Sequence, residues 1–144
     1  MKPHRLAMEA FGPYATRVLI DFDALSDEGL FLIHGSTGAG KTFLLDAMSF
    51  ALYGEVAGER GIKGLRSDHA PPEAVPRVEL DFSAGGARYR VERSPAYTAL
   101  KQRGQGTTEK LATAVLYRIQ AGQQQPVASR SSEVNREEIG RAHV

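Results

Sequence analysis

The chain has no cysteine and no tryptophan among its 144 residues. Without cysteine it can form no disulfide, no thiolate metal site and no cysteine nucleophile, and it suits a reducing compartment. It also lacks an excess of charge of either sign. Lys and Arg number 18 and Asp and Glu 17, a formal net charge of +1. No global field therefore draws it to nucleic acid or to a membrane surface. No apolar run approaches the ~20 residues that span a bilayer. The opening Met1-Lys2-Pro3-His4-Arg5 has none of the apolar core that a secretory signal needs. These absences lead to the expectation of a soluble, cytoplasmic protein with no membrane partner. The length suits about one domain. A hydrophobic content of 42% is ordinary for a globular chain.

What is present is a phosphate-cradling pattern. Gly35-Ser36-Thr37-Gly38-Ala39-Gly40-Lys41-Thr42 fits G-x-x-x-x-G-K-[ST]. Gly29 to His34 before it is a short apolar run of strand length. Thr42 to Tyr53 after it has helix length and ends at Gly54, a natural stop. Each residue type has a physical task. Backbone N–H groups surround a polyphosphate only where the chain curls tightly and no side chain intrudes, and Gly35, Gly38 and Gly40 permit that. The helix start adds N–H donors and the positive end of its dipole. Lys41 is expected to reach the β and γ phosphates. At ~4 Å and an effective dielectric of ~20 that attraction is about 4 kcal/mol before desolvation. Thr42 offers its hydroxyl to Mg²⁺. The whole run, Gly35 to Thr42, is the expected nucleotide site.

Arg5 to Phe11 alternates and reads as a strand. Thr16 to Phe22 reads as its antiparallel partner, before the Gly29 strand. Gly54 to Pro76 is polar, with at most a short helical turn near Leu65 to Ala70. Arg77 to Phe82 and Ala87 to Arg93 alternate on either side of Gly85-Gly86, a hairpin. Ser94 to Glu109 reads as a flexible basic loop, Lys110 to Gln120 as a strand, Gly122 to Pro126 as a turn, and Ser131 to Glu138 as the start of a helix. The expected fold class is α/β with an antiparallel annex. A phosphate loop follows the third strand, and a β-meander follows one core helix.

The text around the loop resembles one family of nucleotide binders. Leu6 to Tyr14 with Ile20-Asp21-Phe22, Phe31 to Thr42, Leu44 to Ala47 and Phe50 to Gly54 are similar to the SbcC family. So are Leu65 to Ala70, Tyr89 to Pro95, Arg103 to Thr108 and Glu133-Val134-Asn135. These are the large ATPase subunits of bacterial SbcCD nucleases, ABC-type, SMC-like proteins of DNA repair. The resemblance covers residues to about Glu138. It implies the N-terminal lobe of an ATPase head, binding ATP and Mg²⁺ between two heads of a homodimer. ATP-driven closure would gate an SbcD-like nuclease partner acting on double-stranded DNA ends. The family often carries Pro where Ser36 stands, and Thr or Ser where Phe43 stands. Neither departure removes backbone contact with phosphate.

The resemblance also implies parts that this stretch does not carry. It has no coiled-coil heptads, no Cys-x-x-Cys hook, no apolar strand ending in Asp-Glu and no catalytic residue. Residues 1–138 are therefore expected to be an incomplete head. Ile139 to Val144 look like the translation of a sequencing adapter and are expected to be non-native. Phe82-Ser83-Ala84-Gly85-Gly86 resembles a signature loop but falls in a hairpin. Gln123 to Gln125 read as a turn rather than a Mg²⁺-sensing glutamine.

Among other candidates, His34 and His69 have no metal-ligand partner at helical spacing. Asp46 lies one turn after Thr42 and suits a place behind Mg²⁺ or a local pair. Arg66 is placed to approach nucleotide or a partner head, or to be solvated. Arg88, Arg90, Arg93, Lys101, Arg103 and Lys110 form a basic stretch suited to sequence-independent contact with DNA phosphates. Two further readings stay open: a small self-contained kinase or GTPase, and a truncated piece whose apolar helix Phe43 to Tyr53 wants cover it does not have.

Overall fold

The computed structural model describes residues 1–25, 32–38, 40–56 and 64–142, the last five by backbone alone. The strands are β1 (Lys2–Glu9), β2 (Val18–Asp21), β3 (Arg77–Ala84), β4 (Ala87–Ser94), β5 (Tyr97–Leu100), β6 (Thr107–Lys110), β7 (Thr113–Gln120) and β8 (Gln123–Ala128). The helices are α1 (Lys41–Tyr53), between β2 and β3, and α2 (Ser131–Ala142), after β8. Six strands form one sheet in the order β2-β1-β3-β4-β7-β8, and β5 pairs with β6 apart from it. Every pairing among the described residues is antiparallel.

Period-2 alternation divides the sheet into two unlike faces. Leu6, Leu80, Val91 and Leu116 stand opposite one another in register, a row of fully buried apolar side chains crossing four strands. Met8, Val78, Phe82 and Tyr89 extend that layer, and Phe50, Phe11, Leu65 and Val134 close over it. Each such side chain contributes about 1.5–3 kcal/mol when fully buried. The other face is charged. Arg90 forks onto Asp81 at 2.6 and 2.8 Å, and Arg17 onto Glu79 at 3.3 and 2.9 Å.

A bulge interrupts β1 between Pro3 and Arg5, and His4 occupies the extra position. Such bulges re-aim a side chain. His4 Nδ1 donates to both Asp23 carboxylate oxygens, at 2.9 and 2.8 Å, while Nε2 faces Ser83 Oγ at 3.0 Å.

Several expectations change. Leu32 to His34 pair with no strand among the described residues, and Leu32 is 83% exposed; Gly29 to Phe31 of that expected strand lie outside the described residues. An apolar run forms a strand only where another strand takes up its backbone groups, and among the described residues none pairs with Leu32 to His34. The expected flexible loop Ser94 to Glu109 is mostly the β5–β6 hairpin, where Thr98 Oγ1 donates to Glu109 and Gly104 and Gly106 turn at positive φ. Gln123 to Gln125 lie in β8 rather than in a turn, because Ala121 and Gly122 take the positive-φ positions before them. The Gly85-Gly86 hairpin stands as read, both glycines at positive φ. Leu65 and Ser67 in the polar connector are fully buried, pinned by Gly12 N–H to Leu65 O and Ser67 N–H to Ala10 O, each 2.8 Å. A helix does start at Ser131, as read, and α2 runs to Ala142.

Candidate functional site

Helix α1 begins at Lys41 with Gly40 as its N-cap, at φ 88° in the left-handed region. No side chain caps this end, and its first turn holds no acidic residue. The first N–H groups of a helix have no partner within it. Left uncapped, they present donors and a positive dipole end to whatever sits in front.

In front is an open cavity of about 390 Å³ lined, among the described residues, by Pro13, Thr37, Gly38, Gly40, Lys41, Thr42 and Phe43. Gly38 stands at φ 82°, and a Cβ there would meet nothing within 4 Å. The sequence motif thus supplies five of the seven lining residues. Gly35 and Ser36 complete the loop behind, where Lys41 Nζ donates to the carbonyls of both, at 2.7 Å for Ser36. Folded back in this way, the ammonium sits on its own loop. Ala39 lies outside the described residues. The cradle fits a polyphosphate in chemistry: uncapped amides, a positive-φ glycine opening onto the cavity, one lysine and one hydroxyl. Lys41 and the loop amides would hold the phosphates, and the Thr42 hydroxyl would hold a divalent cation.

One wall comes from a segment with no place in the motif. After β1, Phe11 to Tyr14 form a tight turn closed by Phe11 N–H to Tyr14 O at 3.0 Å and Tyr14 N–H to Phe11 O at 2.9 Å. Tyr14 donates its phenol hydrogen to Gly40 O at 3.3 Å, and burial raises its pKa. Gly12 stands at φ 55°, and a Cβ there would fall 2.3 Å from the Phe43 ring. Sequence reasoning missed this wall. The available signal was the coincidence of a glycine turn at Gly12 with the unusual Phe43.

Other candidates are placed elsewhere. Asp46 is buried in α1 and does not line the cavity. Arg66 does not line the cavity; its guanidinium donates to the carbonyls of Ser67, Pro71, Pro72 and Ala74. His34 and His69 join no group of metal-ligating side chains among the described residues. The basic stretch is divided. Arg90 is held by Asp81, and that hydrogen bond raises its pKa. Arg88 lies 4.0 Å from Asp23. Arg93 is buried against the end of α1. Lys101, Arg103 and Lys110 are exposed, as is Arg88 itself.

Beside the loop, Ile20, Phe22, Leu25, Leu32, Ile33, Leu44 and Met48 line an open apolar cavity of about 280 Å³. Leu45 of α1 is 61% exposed. No helix among the described residues is long and apolar enough to cross a membrane.

The AAA domain family model matches residues 5–139. The C subunit of nuclease SbcCD from Vibrio cholerae serotype O1 is 43% identical over 135 residues, 93% of this chain and 13% of that protein. The protein of that name from Lactococcus lactis subsp. lactis is 43% identical over 116 residues, 81% of this chain and 11% of the relative. That from Deinococcus radiodurans is 44% identical over 94 residues, 65% and 10% of the two. The chain spans about a tenth of the length of these curated relatives.

Proposed function

The chain belongs to the AAA domain family, and we propose that it is the ATP-binding N-terminal part of an SbcC-like ATPase head, residues 1–138. In this reading Gly35 to Thr42 cradle the phosphates, Lys41 neutralises the β and γ oxygens, and Thr42 holds Mg²⁺. The observation that carries it is the Gly35–Thr42 loop opening onto an uncapped helix start and a cavity of about 390 Å³.

The whole protein would be a cytoplasmic DNA-repair ATPase. Two heads would close on ATP, and closure would gate an SbcD-like nuclease at double-stranded DNA ends. ATP shifts such an equilibrium only by binding the closed pair better than the open one. Bound Mg²⁺ supplies charge neutralisation at the phosphates. In this reading the residues of this chain bind and orient the nucleotide. The apolar cavity beside the loop and the exposed Leu45 support a head that further polypeptide completes.

The test is calorimetric titration of the purified chain with Mg-ATP, alongside Lys41→Ala. Weak saturable binding, lost in the variant and without turnover, is expected. Brisk hydrolysis lost in Lys41→Ala would favour a small self-contained kinase or GTPase instead. No binding at millimolar nucleotide would remove the reading.

A further inference from the structure

Gly40 occupies a crowded position. Its carbonyl accepts the Leu44 N–H at 3.3 Å and the Tyr14 hydroxyl at 3.3 Å. A Cβ on Gly40 would lie 2.6 Å from the Tyr14 oxygen and 3.5 Å from Pro13 Cγ. The turn carrying Tyr14 is itself anchored. It closes on itself through the Phe11–Tyr14 pair, and Gly12 N–H ties it to Leu65 O at 2.8 Å. Leu65 is fully buried. A fixed turn therefore grips the peptide at which the loop becomes helix.

Peptide planarity gives that grip a consequence. In a trans peptide the C=O of Gly40 and the N–H of Lys41 point in opposite directions. Holding the carbonyl along the helix holds the Lys41 N–H toward the cavity. Gly40 is a left-handed glycine with no capping side chain, so little of its own chemistry fixes that plane.

We propose that Tyr14 is a positioning residue for the polyphosphate cradle, latching the Gly40 carbonyl so that the Lys41 amide is aimed at a bound phosphate before ligand arrives. The proposal rests on the nucleotide reading of Gly35–Thr42 and adds to it a residue outside the motif. Tyr14 does not touch the phosphate; it acts through the peptide between Gly40 and Lys41. The ligand class it favours is a nucleoside triphosphate rather than a monophosphate, because the amides it orients face the phosphate chain and not the base. Preorganisation of this kind raises affinity by lowering the ordering cost of binding.

The experiment titrates the chain with a fluorescent N-methylanthraniloyl ATP in Mg²⁺ and with the matching monophosphate. Unmodified protein, Tyr14→Phe and Gly40→Ala are compared, and the thermal midpoint of each is recorded without nucleotide. Phe keeps the ring and removes only the donor. Tyr14→Phe is expected to weaken triphosphate binding about three- to tenfold, the worth of one neutral hydrogen bond. Monophosphate affinity and the midpoint should hardly move. Gly40→Ala, which pushes the phenol away, should weaken triphosphate binding at least as much. Unchanged triphosphate affinity in Tyr14→Phe, or a fall in both affinities together with the midpoint, overturns the latch. No triphosphate binding by the unmodified chain overturns the nucleotide reading, and the latch falls with it.

Discussion

Arg93, on strand β4, donates from Nε to the carbonyl of Ala51 in α1 at 2.6 Å, so a sheet residue closes the last turn of a helix. Its second nitrogen reaches Leu52 O at 3.3 Å and Asn135 Oδ1 of α2 at 2.6 Å. The final carbonyls of a helix lack partners of their own, and a cation there also meets the negative end of the dipole. One buried guanidinium thus joins β4, α1 and α2.

Replacing Arg93 with Met fills similar space but strands the carbonyls of Ala51 and Leu52. Urea unfolding is expected to show a loss of about 2–4 kcal/mol. Lys should recover little of it, because a point charge cannot reproduce the planar fork. A loss under about 1 kcal/mol would mean that water satisfies these carbonyls.

Gly12 and Phe43 are expected to be coupled. Gly12→Ala places a methyl group 2.3 Å from the Phe43 ring, at a backbone φ of 55°. In the parent the change should cost more than about 2 kcal/mol. In a Phe43→Ser background only the backbone strain of about 1–2 kcal/mol should remain. A double-mutant cycle on urea midpoints measures the difference. Additive costs would show that the ring moves aside freely.

Asp23 links stability to acid. The hydrogen bond from His4 holds its carboxyl below the usual aspartate pKa, helped by the charges of His4, Lys2 and Arg88. A carboxylate with a depressed folded pKa stabilises the fold above its unfolded pKa, and that contribution disappears as pH falls through the folded value. Asp23→Asn should therefore be less stable than the parent at about pH 5 to 6, with the gap closing below about pH 4. Because the carboxylate is exposed, the gap should be small and shrink further in high salt. Urea midpoints across that pH range decide it, and a gap that widens toward about pH 3 would contradict the assignment.

DNA contact, if made through this part of the protein, should depend on the β5–β6 tip. Changing Lys101 and Arg103 to Ala in the complete protein should reduce the salt slope of duplex binding by about 1 for each phosphate no longer engaged. Arg90→Lys should leave the slope alone, since Asp81 already engages that side chain. The opposite pattern would place the duplex on the charged face of the sheet.

The sequence made some of this legible and hid the rest for physical reasons. The glycine loop ahead of α1 was legible because its motif restricts residue type at fixed spacing. The Gly85-Gly86 hairpin was readable because Val78, Leu80 and Phe82 alternate against one buried face. Hairpin β5–β6 was not, since it buries little and carries no apolar alternation. Arg93 looked like surface charge because a guanidinium inside and one outside look alike in sequence. Leu32 and Ile33 read as a strand from composition, yet they pair with no strand among the described residues, and composition alone does not say which strand would take up their backbone groups. The wall at Gly12 to Tyr14 joins residues 26 positions apart, from Tyr14 to Gly40, and no local pattern carries such a contact.

The position of β1 constrains how the molecule is made. Its Leu6 stands opposite Leu80, and β1 lies inside the sheet between β2 and β3. During translation β1 emerges well before β3 and must wait, one edge bare, until residues 77–84 follow. Non-local pairing of this kind slows folding. A nascent chain halted before that point would hold an unsheltered strand, a natural target for chaperone capture and for association with its neighbours on the same messenger.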